Sequence, residues 1–211
     1  MAATQALFSS YELEFFAEDE TISIVPNFTL PGCSDNTLEC IGGAYGPFLP
    51  NRPVDVPLWM AMALHQRKKC RILPPAWMDI ESLKMVEELE RDRSDAFQPL
   101  PFHYLEIAHM LFTHAKDTFG GNFYKVHDLV ESVRKVRMTK IHSGLKSLAG
   151  PMTVKLNNLS AMECNLMRGL FQGALDRFWK LAQLQAAPDA GEFETQATSS
   201  PPSGPRRQFR T

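Results

Sequence analysis

Residues 56–78 read VPLWMAMALHQRKKCRILPPAWM. An apolar half runs into residues 65–71, where five of seven residues are basic, and the run stops at Pro74-Pro75 and Trp77. The apolar half predicts a helix over 56–70 with Arg67, Lys68, Lys69 and Arg71 in its last turn. Cations suit that position because the C-terminal end of a helix is negative, each contributing roughly 0.3–1 kcal/mol when exposed. Two further readings stay open: pairing with an acidic partner subunit, and contact with nucleic acid.

Upstream of this join the pattern is β-like. TISIVPNF (21–28) is rich in β-branched and aromatic residues and predicts a strand, with Pro26 favouring an edge. LECI (38–41) is a second strand candidate, and GGAYGPFLPNRPVDVP (42–57), with three glycines and four prolines, is expected to be irregular. Ahead of both, Ser9 and Glu12 have capping-box spacing and predict a short helix through Phe16.

Downstream the pattern is helical. Asp79 caps a predicted helix with Ile80, Leu83, Val86 and Leu89 on one face. Tyr104, Ile107, Ala108, Leu111 and Ala115 share a face of the next, over 103–117, and a long helix follows from about 123 to 148. Ser160 and Glu163 form another capping box, with Leu159 placed for a staple, and open a last helix running to about Leu184. The expected fold is mainly α. A short helix and small β-containing domain occupy 1–55, a helical-bundle domain 56–186, and a Pro/Ser/Gly-rich tail, expected to be disordered, 187–211.

With 211 residues, 44% of them hydrophobic, the chain can bury a sizeable core. Its net charge of −2 does not suggest a protein that coats DNA or acidic membranes. The charge is unevenly spread: residues 1–60 hold eight acids and one base, Arg52, while 121–160 hold seven bases against Asp128 and Glu131. No run of about 18 uncharged apolar residues exists to span a membrane. MAATQALFSS lacks a basic n-region and long apolar core, so the chain is expected to be intracellular, with the cysteines at 33, 40, 70 and 164 reduced.

Catalytic patterns are not found. The glycines of GGAYGP lead into Pro47-Phe48 rather than a helix with a lysine, so they do not make a phosphate cradle. His109 and His114 are five residues apart, about 140° around a helix, and C-x6-C has no second pair, so neither suits a metal. No catalytic, cofactor-binding or metal-binding residue is assigned.

Two helices bear on partners. In 123–148, Arg137 and Lys140 fall inside the apolar arc made by Val126, Leu129, Val130, Val133 and Val136. Arg134, Lys135 and Lys146 fall outside it. A DNA-reading helix gathers its bases on one stripe; scattered bases beside apolar residues suit salt bridges flanking protein contacts. In the last helix, Leu166, Leu170, Phe178 and Trp179 belong to an apolar arc far wider than the roughly 100° stripe that one core needs. Gly169 and Gly173 lie at its edge and would admit a close helix. Such an arc is either central to this chain's own bundle or shared with another subunit. The partner-interface candidates are therefore Arg67, Lys68, Lys69, Arg137, Lys140, Leu166, Gly169, Leu170, Gly173, Phe178 and Trp179.

IVPNF (24–28), the stretch from Glu39 to Met78 that contains VPLW, the basic run with Cys70 and PPAW, and NNLSAMECNLMRGLFQGALDRFWKL (157–181) resemble subunit two of the eukaryotic GINS complex of DNA replication. The link from Phe28 to Gly42 is several residues longer than the family pattern, adding Pro31-Gly32-Cys33. The resemblance implies a β domain followed by a helical domain, and a heterotetramer with the other three GINS subunits. It also implies that this assembly joins the MCM ring and cell-division-cycle protein 45 in the nucleus to form the replicative helicase, whose ATP hydrolysis belongs to the MCM motor. DNA contact is then weak or indirect and no cofactor is needed, and Trp59 and Trp77 would pack the seam between the domains. The alternative is a nucleic-acid-binding module acting through the bases of 65–71 and 134–146.

Overall fold

Strand β1 (Thr21–Pro26) is the centre of the N-terminal sheet in the computed structural model, which describes residues 7–30, 36–40, 42–93, 96–146 and 157–186. The tail at 187–211 and the insertion Pro31-Gly32-Cys33 lie outside the described residues. β1 alternates as its sequence requires, with Ile22, Ile24 and Pro26 facing the core. Its expected edge position is corrected, because the strand order is β4-β1-β5. Ile22 and Ile24 pair with Val56 and Val54 of β4 (Val54–Pro57), and Val25 with Arg71 of β5 (Cys70–Ile72). Pro26 is tolerated in a central strand because its backbone faces the β4 side beyond that strand's first residue, Val54. There its carbonyl accepts from Asn51 N at 3.0 Å, and no ladder donor is required of it.

The stretch 42–57 is more regular than expected. β2 (Leu38–Cys40) and β3 (Gly43–Tyr45) form a separate hairpin before β4. At Gly46, φ is +145° and an added Cβ would lie 2.9 Å from Thr37 Cα, so only glycine fits the exit from β3. The chain then delivers Phe48, fully buried, onto Phe28 with ring centroids 5.7 Å apart.

The expected helix over 56–70 is also corrected. Residues up to Pro57 belong to β4, α2 spans Leu58–Gln66, and Cys70 is already in β5. A Schellman turn stops α2: Lys68 N donates to His65 O at 2.8 Å and Lys69 N to Leu64 O at 2.9 Å, with Lys68 at φ 57°. The reversal sends Cys70–Ile72 back along β1. The boundary expected between 55 and 56 thus falls inside β4, with a further strand of the sheet beyond it.

After a 3₁₀ turn at Ala76–Met78, the helices follow: α3 (Ile80–Asp92), α4 (Tyr104–His114), α5 (Phe123–Lys146) and α6 (Ala161–Ala186). The caps are those the sequence indicates. Asp79 accepts from Glu81 N at 3.2 Å, and Ser9 and Glu12 close a capping box on α1 (Ser10–Ala17). Tyr104, Ile107, Ala108, Leu111 and Ala115 are all buried. α3 lies along α5, and α1 rests on α4. A contiguous core runs from Ile24, Val56 and Ile72 of the sheet through Leu58 and Met78 to Leu83, Leu111, Val126 and Val130 of the helices. The β part and the helical part therefore share one hydrophobic interior. Among the described residues no helix is long and apolar enough to cross a membrane.

Candidate subunit interface

The chemistry of α6 begins with a buried guanidinium. Val126, Val130 and Val133 turn one face of α5 inward, and the same face carries Arg137, which is wholly buried. Its Nε and a terminal nitrogen grip both oxygens of Glu163 at 2.7 and 2.8 Å. Its other nitrogen donates to Glu90 at 2.7 Å, and the carbonyls of Gln98 and Asn158 complete the fork at 3.2 and 2.6 Å. The ring of Phe97 lies against the guanidinium, 5.0 Å from its centroid. Lys140 Nζ closes on the second oxygen of Glu90 and donates to Ala96 O. Arg137 and Lys140, expected at a partner interface, are thus corrected. They point into the chain's own bundle, because Glu90 and Glu163 are buried opposite them.

Opposed charges set the protonation states. Burial alone would lower the Arg137 pKa, but the hydrogen bonds and charge of Glu163 outweigh it and hold the guanidinium cationic. Burial would raise Glu163, and Arg137 together with the Ser160 cap brings it below the usual carboxylate range. The Tyr104 hydroxyl, 3.3 Å from Glu163, is pushed up by burial and then by that carboxylate.

Glu163 is also the third residue of the capping box, accepting from Ser160 N at 2.9 Å while Ser160 Oγ accepts from Glu163 N at 3.3 Å. One carboxylate therefore starts α6 and bolts it to α5. Two residues on, the Asn165 amide pairs with the backbone of Phe8 through bonds of 3.0 and 2.8 Å, as a strand neighbour would.

Beyond this anchored turn the helix is bare. Ala161 and Met167 are buried, but from Arg168 onward no described residue is. Leu166, Leu175, Trp179 and Leu181 are 40, 41, 60 and 55% exposed. Gly169 and Phe178 are half-buried, Gly173 is exposed with nothing within 4 Å of where a Cβ would stand, and the Leu170 side chain lies outside the described residues. From Arg168 to Gln183, the last residue whose exposure is described, the helix runs roughly 24 Å.

The basic turn faces outward, with Arg67, Lys68 and Lys69 all exposed. The Lys68 carbonyl accepts from the Asn27 side chain at 2.9 Å, which ties the turn to the end of β1. Trp77 is half-buried and meets Tyr104 of α4 edge-on at 6.2 Å. Trp59, by contrast, is 38% exposed on α2.

Two family models match the chain one after the other: a PSF2 N-terminal domain over residues 9–73 and a GINS complex protein helical bundle domain over 77–178. Curated relatives named GINS protein PSF2 agree with the chain over most of their length. The chain belongs to the PSF2 family of GINS complex proteins. The DNA replication complex GINS protein PSF2 of Xenopus laevis is 37% identical over 186 residues, covering 87% of this chain and 97% of the relative. The human protein of that name is 38% identical over 173 residues, covering 81% and 90%. The Saccharomyces cerevisiae protein is 30% identical over 207 residues, covering 92% and 97%. The join between the two matched domains falls at 74–76, just past β5.

Sequence reasoning missed Glu90 and Glu163 as counter-charges. A signal existed: a base in the middle of an apolar arc requires a buried acid. Glu90, in the last turn of α3, and Glu163, read only as a cap, were the available acids.

Proposed function

We propose that this chain is a non-catalytic architectural subunit. It assembles with the other three GINS subunits, and through that tetramer joins the MCM ring and cell-division-cycle protein 45 in the replicative helicase, in the nucleus. The observation that carries this reading is α6: a rigidly anchored first turn followed by uncovered Leu175, Trp179 and Leu181. An apolar face of this kind fits an obligate interface, which typically buries about 2,000–5,000 Å². Gly173, with no neighbour of its own, would let a partner helix approach closely. The basic turn Arg67–Lys69 would meet acidic protein surface. The nucleic-acid alternative is weakened because Arg137 and Lys140 are spent inside the bundle and Arg134 pairs with Glu131 at 3.1 Å.

The test is co-expression with the three partner subunits. The chain alone should aggregate and the four-chain mixture should elute as one complex. Trp179→Glu and Gly173→Leu should release the chain from the complex, although leucine at 173 favours the isolated helix by about 0.8–1 kcal/mol. A monodisperse, cooperatively melting monomer would count against the reading, as would intact assembly of both variants.

A further inference from the structure

Glu106, in the first turn of α4, is 2% exposed, and neither of its carboxylate oxygens makes a hydrogen bond among the described residues. Its neighbour His103 approaches only to 4.0 Å, and His103 Nδ1 is itself without a hydrogen-bond partner. We propose that the cleft beside Glu106, between α1, α4, α5 and α6, receives an arginine or lysine side chain from the subunit that covers α6, with Glu106 as its counter-charge. This rests on the reading of α6 as a subunit interface.

The charges around the cleft carry the argument. Burial raises the Glu106 pKa, and the carboxylates of Glu14 on α1 and Glu163 on α6 raise it further. The backbone amides of Glu106 and Met162 pull the other way without closing a hydrogen bond. The cleft holds about 310 Å³ and is lined by Glu14, Glu106, Glu131, Arg134, His109 and Leu166. Arg134 is already engaged by Glu131, and His109 stands 3.7 Å from Glu14. Among the described residues, Glu14, Glu106 and Glu131 thus face a single guanidinium, and Glu106, the deepest, has no basic group nearer than the His103 ring at 4.0 Å. A buried acid left alone is costly, whereas one met by a cation and screened from water is not. Leu166 on the rim is 40% exposed and continues onto the bare face of α6. A partner helix laid there would carry its side chains past the cleft mouth. A guanidinium or ammonium group is the chemistry that fits.

The test uses the four-subunit complex. Glu106→Gln keeps the shape and removes the charge. It should leave the helical circular dichroism of the complex unchanged yet raise its dissociation constant roughly 10- to 100-fold, as expected when one member of a buried charge pair is neutralised. One arginine or lysine of the partner should show the matching loss when replaced by methionine, and that loss should vanish in the Glu106→Gln background. The partner-side substitution in the otherwise unaltered complex gives a reading even if Glu106→Gln folds poorly. Unchanged or tighter assembly of Glu106→Gln, or additive losses with every partner base, overturns the proposal. Leu166→Glu separates the two ideas. If it is silent, α6 is not the interface; if it disrupts assembly while Glu106→Gln does not, only the cation site is wrong.

Discussion

Replacing Arg137 by methionine should be among the most damaging single changes in the bundle. The side chain donates five hydrogen bonds, to Glu163 twice, Glu90, Gln98 O and Asn158 O. Their loss is unequal. Glu90 keeps Lys140 and the amide of Gln98, so its charge stays compensated. Glu163 keeps only neutral donors, Ser160 N and the Tyr104 hydroxyl, and becomes an unpaired buried carboxylate. Breaking a buried pair in this way costs about 3–5 kcal/mol, a large part of the roughly 5–15 kcal/mol that holds a domain folded. The loss should be local as well as global, because Glu163 starts α6. Urea unfolding of the co-purified complex at fixed subunit concentration measures the magnitude, and hydrogen exchange at Ser160–Cys164 reports the location.

A second substitution tests the cause. Glu163→Gln in the Arg137→Met background removes the stranded charge but keeps an oxygen for the cap, and should recover about 1–3 kcal/mol. Acid gives an independent check. Glu163 has a folded pKa below its unfolded value of about 4.3, so its contribution is full above that pH and is lost as the pH falls through the folded value. The α6 protection should therefore hold from neutral pH through the ordinary carboxylate range and be lost only as the pH falls below it. A cost under about 1 kcal/mol for Arg137→Met, or a further loss on adding Glu163→Gln, would refute the reasoning.

Lys68→Gly should stabilise the chain by about 1 kcal/mol, because Lys68 holds the left-handed position of a Schellman turn that glycine adopts freely; the urea midpoint checks it. Arg67→Glu with Lys69→Glu leaves that turn intact, and should impair assembly with the helicase proteins in pull-downs more than it changes duplex-DNA binding by fluorescence anisotropy. The reverse pattern would favour the nucleic-acid reading.

The elements that were legible in the sequence are those whose signals are local. Ser9/Glu12, Asp79 and Ser160/Glu163 announce their helices within four residues, and the face from Tyr104 to Ala115 needs only periodicity. β5 was not legible. Its three residues follow an apolar helical run, and the turn that separates them carries lysine where glycine would have marked it. β1 reads as a strand, but its central place depends on β4 ending before Pro26 needs a partner, which is a tertiary fact. The interface candidates divide in the same way. The breadth of the apolar arc on α6 is visible in the sequence, and its exposed outer part follows. Whether a base looks outward is not visible, because that depends on where acids from α3 and α6 arrive. Arg137 and Lys140 were misplaced for this reason, whereas Arg67 and Lys69 stand exposed.

The clasp between Asn165 and Phe8 joins positions 157 residues apart in the chain. During synthesis, Phe8 leaves the ribosome long before Asn165 exists. At translation rates of roughly 5–20 residues per second, that interval is on the order of ten to thirty seconds. Through it the segment before α1, with Leu7 and Phe8, lacks its partner from α6. The nascent chain must therefore carry the Phe8 backbone without its Asn165 clasp until nearly the whole of α1 to α5 has been made, a period in which a chaperone or a waiting partner subunit has its best opportunity to act.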